Sequence, residues 1–169
     1  FKIDQVYGMH NSPGMPIGTF ATRVGPAMAA TDHINIHIEG LGGHAARPHK
    51  SIDSVLIGSQ LITALQSIVA RSIDPLDAAV ISICEFHAGN ARNVIPQTAE
   101  LRGTARSLTS EVRDLIEQRV REVVNGVAQL DAALLAHAQL QALAAVIEGR
   151  AQAHGSTPPE GAPRGALVL

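Results

Sequence analysis

An α+β fold, an antiparallel sheet with two helices on one face, is what this sequence predicts. Three observations carry the prediction. Ile34, Ile36 and Ile38 alternate with His33, Asn35, His37 and Glu39, and period two with β-branched residues is a strand with one buried side. Residues 79–86 and 98–106 have the same strand character. Two other segments carry apolar residues at helical spacing.

The elements follow in order. Residues 1–31 are rich in glycine and proline: Pro13, Gly14, Pro16, Gly18, Gly25 and Pro26 interrupt any long element. Short strands are expected at 6–10, ending on His10, and at 17–24. The first long strand stops at Gly40-Leu41-Gly42-Gly43, read as a flexible turn. Ser51 is the expected N-cap of a helix over 52–71, ended by Pro75. In the next strand Val80, Cys84 and Phe86 are expected on one side and Ile81 and Ile83 on the other. After a turn at 88–91, Ala99, Leu101 and Gly103 share one side of the third strand. Thr109 caps a second helix, whose stripe is Val112, Leu115, Ile116, Val120, Val123, Val124 and Val127.

Strand, helix, strand, strand, helix is the ferredoxin-like split unit short of its last strand. The residues after 130 do not offer that strand. They are rich in alanine and leucine to about 152 and favour helix. Residues 155–165 are glycine, proline and polar, a composition of disorder. The expected division is 1–31, 32–127 and an atypical tail at 128–169.

Composition narrows the function. Of 169 residues, 46% are apolar and 17% charged, which is globular. Aromatics are only 2%, without tryptophan, so the core must be built of Ile, Val, Leu and Ala. A net charge of −2 gives no electrostatic reason for nucleic acid or acidic membranes as partners. No uninterrupted apolar run is long enough to span a bilayer. The single Cys84 excludes an internal disulfide; its apolar surroundings predict a buried, inert thiol and a cytoplasmic, reducing home. No initiator Met opens the chain, and a piece of a longer protein is expected.

Four residues are candidates for chemistry. His10 precedes a loop of Asn, Pro and Gly; it is a metal ligand aimed into a cleft, or a hydrogen-bonded loop histidine. His44 lies between Gly42-Gly43 and Ala45-Ala46. Small neighbours leave its ring uncrowded, suiting a donor to a developing oxyanion; the alternative is a turn that contains a histidine. Asn93 aims an amide at a substrate or closes a turn. Arg106 clamps a carboxylate or is an ordinary surface cation. His33 and His37 share a strand face too far apart for one metal and read as solvated. No nucleophile elbow, phosphate loop or paired-cysteine motif is present.

In order and spacing, five stretches resemble the hippurate hydrolase and indole-acetyl-amino-acid hydrolase branch of the aminoacylase and carboxypeptidase superfamily. They are Gly8-Met9-His10-Asn11 with Pro13 and Pro16-Ile17-Gly18; Gly40 through His49; Asp53-Ser54-Val55; Gly89 through Pro96; and Gly103-Thr104-Ala105-Arg106. The resemblance runs from about residue 1 to 127. It implies a metal-dependent amidohydrolase that cleaves N-acyl amino acids with a metal-bound hydroxide. It implies two divalent ions in the complete enzyme (zinc, manganese, cobalt or nickel) and homodimerisation through an inserted lid domain. His10 matches a metal ligand. His44 matches the lid histidine that reaches the partner's active site. Asn93 and Arg106 match lid positions near the acyl and carboxylate ends of the substrate. The remaining metal ligands and the general-base Glu of the family are not in this sequence, so stable metal binding by this chain is not expected. An inactive dimerisation module is the alternative.

Overall fold

The computed structural model describes residues 2–134. The chain divides into two units, and residues 2–28 belong to a different one from residues 29–134. Residues 2–28 are exposed and contain turns but no strand, so the strands expected at 6–10 and 17–24 do not form. Gly18, inside the second of these segments, has positive φ, which interrupts extended backbone there.

The second unit is a sheet backed by two helices. Its elements are β1 (Ala30–Glu39), β2 (Gly43–His44), α1 (Ser54–Ser72), β3 (Ala79–Ala88), β4 (Val94–Ile95), β5 (Thr98–Ser107) and α2 (Ser110–Leu134). The sheet order is β1-β5-β3, antiparallel throughout. β1 and β3 flank β5, so the β1–α1–β3 crossover is split by a strand that arrives later in the chain. This is the expected split unit. Among the described residues no strand lies along the outer edge of β1. β2 and β4 form a separate two-stranded ladder, which the sequence reading did not resolve.

The period-two reading of β1 holds: Ile34, Ile36 and Ile38 are buried and His33 and His37 exposed. Together with Ile57, Leu61, Leu65 and Ile68 of α1, Leu101 of β5, and Ile116, Val120 and Val124 of α2, they form one core. By length and mean hydropathy α1 would suffice to cross a bilayer, although polar residues interrupt its apolar run. Here its apolar side is spent on the sheet. α2 runs unbroken past Ala128, which is buried. The helix and disorder expected beyond 134 lie outside the described residues.

Two expectations are corrected. Asp53, not Ser51, caps α1: its carboxylate accepts from the N–H groups of Val55 (2.9 Å) and Leu56 (3.2 Å). Ser51 is buried two residues earlier, and its hydroxyl has no partner among the described residues. The faces of β3 also differ from strict alternation. The register slips between Ile83 and Glu85. This bulge at Cys84 brings Phe86 opposite Leu101 and returns it to the side of Ile81 and Ile83. Cys84 is pushed outward and exposed, so the buried thiol expected from its apolar neighbours is not found.

Candidate functional site

The stretch Gly40–His44 is not a flexible turn. None of its glycines has positive φ. Their lack of a side chain makes room for neighbouring segments, backbone at Gly40 and Gly42 and the Ser51 side chain at Gly43. A Cβ on Gly40 would stand 2.3 Å from the Ile52 carbonyl oxygen, and one on Gly43 would stand 2.1 Å from Ser51 Oγ. Leu41 and Ile52 exchange both backbone bonds, at 3.0 and 2.9 Å, and Gly40 N–H donates to Gln97 O at 2.7 Å. The buried Ser54 hydroxyl donates to Pro96 O at 2.9 Å. Residues 40–54 and 93–97 are thereby clasped together at the N-terminus of α1. Gly40→Ala drives a methyl into the backbone of Ile52. We expect it to cost about 1–3 kcal/mol and to broaden the amide signals of residues 41–47 in a heteronuclear NMR spectrum.

The clasp presents His44. β2 pairs with β4 so that Gly43 lies opposite Ile95 and His44 opposite Val94. Ala45 N–H then donates to Asn93 O at 3.0 Å. His44 O accepts from Arg47 N–H at 2.8 Å, closing a tight turn. Within that turn Ala46 N–H donates to His44 Nδ1 at 3.1 Å. A ring nitrogen that accepts carries no proton, so the neutral imidazole keeps its proton on Nε2. The ring is exposed, with that N–H free to donate outward.

Of the four candidates, the structure brings two together. His44 and Asn93 are neighbours through the ladder. Arg106 lies near the far end of β5, eight residues from Thr98, or about 26 Å at the rise of a strand. There it pairs with Thr31 and Val80, and its Nη1 donates to Ala105 O at 3.1 Å. His10 belongs to the other unit; its Nδ1–H donates to Asn11 O at 2.7 Å. Among the described residues no three His, Cys, Asp or Glu side chains form a group able to hold a metal. The two ions implied by resemblance do not fit the residues described here.

One pair escaped the sequence reading. Asp32 on β1 is 7% exposed and takes a forked bond from Arg113 in the first turn of α2. Arg113 Nε donates at 2.8 and 3.0 Å to the two carboxylate oxygens, and its Nη2 also donates to Asp32. Bonding to Asp32 holds the guanidinium above its ordinary range. Only the position of Asp32, in phase with Ile34 and Ile36, could have marked it as inward-facing.

The second unit is thus a two-layer α+β unit whose β2–β4 ladder presents His44 beside Asn93. The peptidase dimerisation domain pattern of the M20 peptidases matches residues 30–132, more than half of the chain, and the chain belongs to that family. Curated relatives include an N-acetyldiaminopimelate deacetylase of Enterococcus faecalis, 47% identical over 75% of this chain and 33% of its own length. An N-acetylcysteine deacetylase of Bacillus subtilis is 43% identical over the same shares. The chain therefore spans about a third of these relatives. Among solved structures, the YXEP protein of Bacillus subtilis, described as a dinuclear metal-binding peptidase of the M20 family, is 32% identical with a TM-score of 0.53, over 75% of this chain and 29% of its own. A hydantoinase/carbamoylase family amidase from Burkholderia ambifaria shares the fold at a TM-score of 0.57 and 21% identity, over 64% of this chain and 27% of its own.

Proposed function

We propose that this chain is the lid of a metal-dependent amidohydrolase acting on N-acyl amino acids, that it pairs with a second copy, and that it offers His44 to a metal-activated acyl carbonyl. The observation that carries this reading is the Ala46 N–H bond to His44 Nδ1. It prepares the ring as an Nε2–H donor, the form that stabilises a carbonyl oxygen as it gains charge. Asn93 stands beside it at the acyl end, and Arg106 serves the carboxylate.

The separation of Arg106 from His44 supports pairing. The carbonyl and carboxylate of an N-acyl amino acid are a few bonds apart, whereas Arg106 stands about 26 Å along β5 from Thr98, the end of the strand that follows the clasp holding His44. Two lids can meet one substrate where one lid cannot. Hippurate-like substrates are part of the proposal by resemblance, while the deacetylase names of the relatives favour a smaller acyl group. His10 is proposed as a ligand to one of the two divalent ions, whose other ligands lie outside the described residues. A cytoplasmic setting belongs to the same proposal.

The second reading, a pairing module without turnover, is favoured by the lack of a metal group among the described residues. The purified chain separates the two. Sedimentation is expected to give the mass of a dimer; compact monomer at high concentration refutes pairing. Hydrolysis of N-acetyl amino acids or hippurate with added zinc or manganese, abolished by His44→Ala, removes the second reading.

A further inference from the structure

We propose that Arg47, Lys50 and Arg92 form a cationic rim that draws anionic substrate to His44, the more strongly the more negative charge the substrate carries. This rests on the reading of His44 as the carbonyl donor, in which the substrate is an N-acyl amino acid and hence an anion.

The backbone places the three cations. Arg47 closes the turn that begins at His44, so their Cα atoms lie within about 7 Å of each other. Lys50 N–H donates to Arg47 O at 3.0 Å, one turn further on. Arg92 precedes Asn93, whose carbonyl takes the Ala45 N–H. All three residues are exposed. Elsewhere in the unit Arg102, Arg113, Arg119 and Arg121 each lie against a carboxylate. Among the described residues no carboxylate pairs with Arg47, Lys50 or Arg92. Two acids stand in or next to the clasp, and both are engaged. Asp53 caps α1, where its charge meets the positive end of the helix. Glu39 accepts from Gln97 Nε2 at 3.4 Å. The chain as a whole carries −2, so a local excess of cations runs against its average.

A single exposed cation carries no message, but three held by one clasp act together. On the order of 10 Å from the ring, they lie near one Debye length at physiological salt and well inside the roughly 30 Å of low salt. Such a field needs no pocket. It acts alike on the bound substrate and on the transition state, so it shows in KM and not in kcat.

The test measures KM and kcat for N-acetylglutamine and N-acetylglutamate, which differ by one charge, in the metal-loaded enzyme that carries this lid. Salt is set at about 10 mM and about 150 mM. Arg47→Glu with Arg92→Glu is expected to raise KM for N-acetylglutamine about eightfold at low salt and about twofold at high salt, from screened attraction over about 10 Å. KM for N-acetylglutamate is expected to rise further, with kcat for both held. Arg47→Lys with Arg92→Lys keeps the charge and is expected to restore KM. A raised KM in that lysine pair shows specific guanidinium contacts and overturns the field. If His44→Ala lowers kcat and the glutamate pair leaves KM unchanged at low salt, the rim is overturned and the reading of His44 stands. If His44→Ala changes nothing, that reading fails and this inference with it. Should the glutamate pair fold poorly, Arg47→Gln with Arg92→Gln decides, at about half the effect on a logarithmic scale.

Discussion

On the proposed reading, His44→Ala is expected to lower kcat about a hundredfold or more in a metal-loaded enzyme that carries this lid, the cost of deleting one oxyanion donor, and to leave KM nearly unchanged. The split follows from where the bond is made. On the proposed reading the Nε2–H meets a carbonyl oxygen that gains charge only as the tetrahedral species forms, so the loss would fall on the transition state. Stability is expected to be unchanged, since the ring is exposed and its one hydrogen bond among the described residues is to the backbone N–H of Ala46. Steady-state kinetics with a melting curve for each protein checks both halves. An unchanged kcat refutes the role, and a lowered Tm assigns the loss to folding.

Arg113→Ala costs about 3 kcal/mol of folding stability, as when one partner of a buried ion pair is removed. That is a fall of about 10 °C or more in Tm for a domain of this size. Asp32 is left buried between β1 and α2 without the fork that satisfied both its oxygens. Replacing both residues with leucine is expected to be milder than Arg113→Ala alone, because no uncompensated carboxylate remains. Chemical denaturation of the three proteins measures this. An Arg113→Ala midpoint equal to that of the parent shows the pair to be worth no more than a surface bridge.

Much of the fold was legible because burial writes a local period. The alternation of β1 and the stripes of both helices each sit within one segment, and a segment's own sequence records which side is covered. The side of Ala99, Leu101 and Gly103 on β5 was readable for the same reason. β3 was misread from Cys84 onward, since a bulge adds a residue that strict alternation does not count. The glycines of 40–43 were noticed, but for the wrong reason. They look like freedom in one dimension and prove to be clearance for Ile52 and Ser51.

The site was legible only as residue types. The sequence by itself determined the class of the domain, its helix-covered sheet, and the histidine set among small residues, because periodicity and residue size are properties of neighbours in the chain. The tertiary structure alone decided that Val94 stands opposite His44, that Asn93 holds the turn, that Arg106 lies at the other end of β5, and that Asp32 meets Arg113 81 residues away. Each of these depends on the register between segments distant in sequence. Register is set by how complete faces pack together, which no single segment records.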